Sequence, residues 1–444
     1  MYIPKTVIQT FRKFANAFFD RSLRKLASDI SIHANAHGCT IQMSLSGRSV
    51  SCCVTCKDGD EPLAQSVIVP SEVFDQFVQT TGDIRFGPVE STEHGSRFTV
   101  SWETGPVARH AEIDLLAPPD TSHDSILLTK TDESFLACLA HAIEVADESS
   151  SRYSLGCVQL DGRDGTLVAT DGRHMVRFDG FDFPWEWEAI LIRKNRLFAL
   201  KEFVRLKAVS FGSQDGAFVI ASGPWRFTLP VEADARFPDV TQVIPDRRRS
   251  TNRVHLDSGD RDALGSCVSQ LPGDTDEMQP VILDLNGHVA VVGKSKQGTS
   301  CTVCLELDRS LHLGPDLRTG TPRQNLAFVA KLGADSLFLF GKDQPILACG
   351  PRMQYVWMLL TNMDLQFDLA QHIPHEHDTS DYQSSLAKLK NLNSHEKGLQ
   401  HARKKLKRPR SGRVVASLQS GDPQLSFVIG DTIGAVVAVF SCEC

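Results

Sequence analysis

Three groups of side chains in this 444-residue sequence have the types and spacing for metal chemistry: Cys52, Cys53 and Cys56; Cys301 and Cys304; and His372, His375 and His377 with Asp378. Thiolates and imidazoles a few residues apart are the ligands of tetrahedral zinc. Zinc is not expected here. Both cysteine sets fall in strand-like runs, where residues three apart point to opposite faces and need a turn between them to share a metal. The histidines sit in a polar stretch where a solvated, unliganded cluster is expected. The chain carries no G-x-x-x-x-G-K-[ST], no G-x-S-x-G and no H-E-x-x-H, so no phosphate loop, serine nucleophile or metalloprotease site is expected. The reading is a protein without cofactors that is not an enzyme.

Basic side chains offer a different chemistry. If Arg193 to Lys207 is helical, Lys194, Lys201 and Arg205 fall on one stripe, with Leu197, Leu200 and Val204 on the adjacent packing face. Such a stripe suits phosphate contacts, which ignore base sequence and exchange quickly. An ordinary solvated helix face has the same pattern, and spacing alone leaves both readings open. Lys5, Arg12, Lys13, Arg24, Arg323 and Lys331 are weaker candidates, and Arg403 to Arg410 is either a nucleic-acid contact or a solvated linker.

The elements that must position these residues recur three times: a helix, alternating strands, a short helix, then more strands. In the first unit Lys5 to Phe19 is helical in pattern. Asp29 to Cys56 reads as strands broken at His37-Gly38 and Ser46-Gly47, Val67 to Phe74 runs a strand into a helix, and Arg97 to Leu116 closes with strands. The second opens on Thr131-Asp132-Glu133-Ser134 as an N-cap and acidic first turn, with Phe135, Leu139, Ala142, Ile143 and Ala146 on one helical face. Strands are expected at Cys157 to Leu160, Thr166 to Ala169 and Ala189 to Ile192, and a hairpin at Ala217 to Leu229. In the third, Pro280 to Val292 and Gly298 to Leu307 read as strands, Pro322 to Leu332 as a helix and Ser336 to Leu360 as terminal strands.

Turn-rich breaks near Pro118 to Ser122 and Asp246 to Ser250 give domains over 1–122, 123–249 and 250–363. Residues 364–444 do not continue the pattern and form a C-terminal extension, partly flexible. Its apolar piece, Leu425 to Phe440, is either a strand pair or a short docking segment.

Composition fits several globular domains: 41% hydrophobic, 23% charged, and longer than the ~250–300 residues at which one core stops growing. A net charge of −7 excludes a module that is basic over its whole surface, though not a ring with a cationic lining and an acidic outside. No apolar run approaches the ~20 residues of a membrane span, and the N-terminus lacks a signal peptide's pattern, so a cytoplasmic protein with twelve buried, reduced cysteines is expected.

The second unit carries Arg152-Tyr153-Ser154-Leu155, then Leu167-Val168-Ala169-Thr170-Asp171-Gly172-Arg173-His174-Met175, then Arg236-Phe237-Pro238-Asp239 followed by Val243-Ile244-Pro245. In order and spacing these segments resemble those of the bacterial DNA polymerase III β subunit, the β sliding clamp. The resemblance covers roughly residues 1–363 and is sharpest in the second unit. It implies an α+β fold of three similar DNA-clamp domains, with two subunits closing head to tail into a ring that has helices lining the hole and antiparallel sheets outside. It implies duplex DNA as a sequence-independent partner, and polymerase and clamp-loader subunits that insert short apolar peptides between the second and third domains.

Residue by residue, the implied pocket uses Leu155, Thr170, Gly172, Arg173, His174, Met175, Pro238 and Val243, with Tyr355, Val356 and Met358 from the last strand. The implied DNA-lining set is Arg24, Arg152, Tyr153, Lys194, Lys201 and Arg205. Core packing is the plain alternative for Leu155, Met175, Val243 and Val356, and a simple turn for Thr170-Asp171-Gly172.

Two features depart from the family. The family reads His then Arg after the glycine, whereas Arg173 precedes His174 here, a swap that reverses which side chain faces the pocket. Met358-Leu359-Leu360 lacks the family's proline, and an extension follows. A second reading therefore stands beside the first, a diverged clamp paralogue acting as an interaction or regulatory module that is never loaded at replication forks.

Overall fold

The computed structural model describes residues 2–20, 29–35, 38–55, 66–92, 95–114, 126–147, 149, 154–185, 188–233, 235–273, 279–295, 301–361, 363–366 and 436–442. The chain divides into two compact units, one of residues 1–171 with 178–238 and one of 172–177 with 239–444.

The chain opens with β1 (Tyr2–Ile3), α1 (Lys5–Phe18), β2 (Asp29–Asn35), β3 (Gly38–Leu45), β4 (Arg48–Thr55), β5 (Ser66–Pro70), α2 (Ser71–Phe77), β6 (Ile84–Thr92), β7 (Gly95–Thr104) and β8 (Val107–Asp114). It continues with β9 (Thr129–Lys130), α3 (Phe135–Val145), β10 (Cys157–Asp161), β11 (Thr166–Thr170), β12 (His174–Phe178), β13 (Ala189–Arg193), the single turn α4 (Lys201–Val204), β14 (Ser210–Gln214), β15 (Ala217–Ser222) and β16 (Trp225–Pro230). The last third holds β17 (Asn252–His255), α5 (Ser258–Cys267), β18 (Pro280–Leu285), β19 (Ala290–Ser295), β20 (Cys301–Leu307), β21 (Leu311–Leu313), β22 (Leu317–Pro322), α6 (Arg323–Leu332), β23 (Ser336–Leu339), β24 (Pro345–Gly350), β25 (Met353–Met358) and β26 (Val436–Cys442).

In the first unit, β1-β6-β7-β8 form a four-stranded sheet and β5-β2-β3-β4-β16-β15-β14-β9 an eight-stranded one, while β10 lies between β13 and β11. The eight-stranded sheet is continuous because β4 pairs antiparallel with β16, Cys52 opposite Trp225 and Ser49 opposite Thr228. In the second unit, β12 lies beside β25 and the sheet continues through β24, β23 and β17 to β21. A five-stranded sheet there runs β22-β18-β19-β20-β26.

Helix α1 forms because Ile8, Phe11, Ala15 and Phe18 recur at helical spacing and bury on one face. Phe14 joins them, packing edge-on to Trp225 at 4.9 Å and to Phe227 at 5.5 Å between ring centroids, so the helix seals the β4–β16 pairing. Phe135 on α3 enters a second aromatic cluster with Phe181, Phe183 and Phe211. The start of α3 differs from expectation. Asp132 accepts hydrogen bonds from Ser134 N at 2.7 Å and Oγ at 2.5 Å, an Asx turn ahead of the helix, and no acidic residue lies in its first turn.

Arg193 to Lys207 is not one helix. Arg193 ends β13 opposite Cys157, a 3-10 turn spans Arg196–Ala199, Leu200 is extended at φ −73° and ψ 128°, and α4 follows. Buried Asn195 sets the break. Its Oδ1 accepts from Leu197 N at 2.9 Å, capping the new turn, and its Nδ2 donates to the Phe18 carbonyl at 2.9 Å. The cysteines are mostly buried, as at Cys39, Cys52, Cys157, Cys267, Cys304 and Cys349, but Cys53 is exposed and Cys138 and Cys301 are half-buried. The expectation of uniformly buried thiols is corrected for these three. Burial pushes the Cys52 thiol up to about 12 and Cys157 up to about 11, which makes both unreactive.

Candidate partner-binding and DNA-facing residues

The expected partner-binding residues separate into two sets. Leu155, Thr170 and Pro238 belong to the first unit; Gly172, Arg173, His174, Met175, Val243, Tyr355, Val356 and Met358 belong to the second. Leu155 and Thr170 are buried and Pro238 half-buried. Leu155 is held by its carbonyl, which accepts from Asp147 N at 2.9 Å.

The second set is built around Tyr355 on β25. Its ring is fully buried, meeting His174 edge-on at 5.7 Å, Phe328 of α6 at 5.1 Å and Trp357 at 5.1 Å in a stacked arrangement. The Tyr355 hydroxyl donates to Asn325 Oδ1 at 3.0 Å, and Trp357 Nε1 donates to Thr321 Oγ1 at 2.9 Å. The polar tips of Tyr355 and Trp357 are therefore satisfied, as burial requires. Gly172 has φ +86°, a left-handed conformation that frees the chain to turn immediately before β12. That turn sets the alternation: Arg173 is exposed, His174 faces the tyrosine and Met175 is buried.

Core packing, the plain alternative, holds for Met175 and Val356, which are 2% and 5% exposed. It holds for Leu155 too, and fails for Val243, exposed by 54%; Met358, for which no such alternative stood, is exposed by 51%. Large apolar side chains that far in solvent can anchor an apolar partner.

The cationic candidates are scattered by the broken helix. Lys194 is half-buried and donates from Nζ to the Ala146 carbonyl at the end of α3, 2.7 Å away, a favourable place for a cation. Lys201 and Arg205 are exposed. Arg24, Arg152 and Tyr153 lie outside the described residues, as do Cys56, the His372 to Asp378 cluster and Arg403 to Arg410. Among the weaker candidates, Arg12 forms an ion pair with Asp75 at 2.5 Å and Lys13 one with Glu202 at 2.5 Å. Arg323 is corrected outright. It is 6% exposed and donates to the Ser269 and Pro272 carbonyls at 3.2 and 3.0 Å, so it fastens the turn that follows α5 and is spent inside the fold.

Among the described residues no group of three or more His, Cys, Asp or Glu is placed to hold a metal. Cys52 and Cys53 sit on opposite faces of β4, one buried and one exposed.

No known family model matches the sequence, and no curated protein matches it. Solved structures do. The Bacillus subtilis DNA polymerase sliding clamp superposes with a TM-score of 0.64 at 15% identity, covering 82% of this chain and 99% of its own. The Pseudomonas aeruginosa DNA polymerase III subunit beta, solved bound to griselimycin, gives 0.64 at 16% identity, covering 81% and 99%. The Borrelia burgdorferi subunit, in complex with a natural product, gives 0.64 at 12%, covering 82% and 98%. The fold is that of a bacterial sliding clamp. The clamp fold accounts for nearly the full length of these structures and leaves about a fifth of the present chain beyond them.

Proposed function

We propose that this protein is a DNA sliding clamp, a non-catalytic processivity factor that encircles duplex DNA without reading its sequence and tethers a replicative polymerase. Its modules are residues 1–122, 123–249 and 250–363, and two copies close head to tail in the cytoplasm.

One observation carries the ring. In the first module β4, the third strand of the β2-β3-β4 meander, pairs with β16, the last strand of the second module. In the second, β12 stands third after β10 and β11 and lies beside β25, the last strand of the third. By the same rule β20, third after β18 and β19, requires the last strand of a first module, which is β8. The chain's own β8 is the outermost strand of its sheet, mostly exposed, with Val107 exposed by 53%. A joint that needs the β8 of another copy is head to tail, and repeating it round a rotation axis closes a ring.

Within such a ring, Lys201 and Arg205 supply phosphate contacts. Partner peptides of polymerase and clamp loader dock their apolar side chains on the exposed Val243 and Met358.

The reading is tested by retention on DNA. Purified protein assembled on nicked circular duplex should stay bound through gel filtration and be lost once the circle is cut. Equal loss from circular and linear duplex overturns it.

A further inference from the structure

The edge of β20 is occupied. β26, from the extension beyond the clamp fold, pairs with it antiparallel along its whole length, Cys301 opposite Cys442, Cys304 opposite Val439 and Leu307 opposite Val436. This is the edge that the repeat assigns to β8 of a second copy. We propose that the C-terminal strand is an exchangeable cover of the ring-closing edge, which a second copy's β8 must displace before the ring can form. The inference rests on the ring reading above.

A second observation, independent of β26, directs the extension to that edge. After β25 the chain bridges to β22, where Leu360 N donates to the Gly320 carbonyl at 2.9 Å. Met363 and Leu365 then pack on Ile282 of β18, Ala290 and Val292 of β19 and Cys304 of β20. Lys294 of β19 bonds both Asp364, at 3.5 Å, and the Gln366 carbonyl. The strand order is β22-β18-β19-β20, so residues 360–361 and 363–366 lie along a course across this sheet toward the edge that β26 covers.

The chemistry of the two strands fits exchange. β26 reads VVAVFSC, uncharged and rich in β-branched residues, and an uncovered β20 would be an open, largely apolar template for any passing strand. β8, VARHAEID, carries charges that keep its own edge from unspecific pairing. Covalent linkage favours β26 over a partner that must come from solution. β8 wins only when the remainder of the joint, or a loading factor, adds to it.

The test compares the full chain with two variants, deletion of 436–444 and Val439→Pro, the latter removing a backbone donor in the middle of β26. Sedimentation and mass photometry should show the dimer dissociation constant falling at least about tenfold in both variants, a difference of about 1.4 kcal/mol. Mild diamide oxidation of the full chain should join Cys301 to Cys442 in peptide maps, and the oxidised protein should sediment as monomer. If both variants dimerise as the full chain does, the cover is not in competition and the inference fails while the ring stands. If all three remain monomeric at every concentration, the ring reading fails and the inference with it.

Discussion

β4 and β16 meet much as β20 and β26 do, each an antiparallel pairing through the third strand of a meander, yet the two are fastened differently. Behind β4 and β16 stands α1, whose Phe14 touches Phe203, Trp225 and Phe227. Cys53 N also donates to the Pro224 carbonyl at 2.8 Å, and Asn195 ties the end of α1 to the turn before α4. That joint is a piece of hydrophobic core and does not open without unfolding. On β20 the contact with β26 is a backbone register, and backbone ladders exchange partners when a competing edge is offered. At the same topological position the first seam is permanent because aromatic side chains of α1 pack across it, and the second is the one proposed to exchange.

The sharpest way to break this contrast is Phe14→Ala. Phe14 is 1% exposed, and emptying its place should cost about 3–5 kcal/mol in urea unfolding. Deleting 436–444 should lower the unfolding free energy of the second unit by about 1.4 kcal/mol, the contribution that a tenfold competition with the dimer requires, well short of the loss at Phe14. If truncation costs as much as Phe14→Ala, β26 is core and the contrast collapses.

Asp260 sharpens it from behind β20, on α5, which packs against that strand. Its carboxyl is fully buried and accepts from Arg309 N at 2.9 Å and Ser310 Oγ at 2.8 Å through Oδ2, while Oδ1 has no partner among the described residues. Burial raises its pKa from 3.8 to about 6. The folded protein therefore binds more protons than the unfolded chain between these values. This contribution is full below about pH 4, is lost as pH rises to about 6, and is flat above; two units correspond to about 3 kcal/mol at most. Asp260→Asn should abolish that slope in unfolding measured from pH 4 to 7. An unchanged slope assigns it to another group.

Much of this was legible in the sequence, and the failures have a common cause. The β2-β3-β4 meander, α1 and the β15–β16 hairpin follow from periodicity and turn residues, because each is specified by its own local pattern. Arg193 to Lys207 misled because Leu197, Leu200 and Val204 satisfy a helical period that two short turns satisfy equally; the contrary signal was Asn195, a capping residue in mid-segment. α5 went unexpected because SGDRDALGSC has two glycines and few apolar residues; Asp257, whose Oδ1 accepts from Gly259 N at 2.8 Å, was its start signal. Arg323 looked like a cation for a ligand and proved to be a fastening for carbonyls, since sequence gives charge but not burial. The swapped Arg173-His174 pair was readable as a swap, but only the turn at Gly172 assigns His174 to the tyrosine.

A smaller effect separates the exit path from the strand it leads to. Gly320 lies where Met363 Sδ crosses β22, and a β-carbon there would collide with that sulfur. Gly320→Ala should displace residues 360–366 at a cost of about 1–2 kcal/mol, typical of forcing extra volume into a packed place. Amide exchange would show protection falling at Leu360 and, if the path guides β26, along Cys301–Leu307 too. Exchange confined to Leu360 would mean that β26 finds β20 unaided.

The smallest expected change in stability belongs to Met358→Ala. The side chain is 51% exposed, so trimming it should alter unfolding by no more than about 0.5 kcal/mol, unlike any change at the Phe14 seam. Binding of a clamp-binding peptide should nonetheless fall, because an exposed apolar residue at the end of β25 has no folding role to explain its position and an anchor's loss is felt directly in affinity. A titration in which Met358→Ala binds as tightly as the unaltered chain would remove Met358 from the docking surface and leave Val243 to carry it alone.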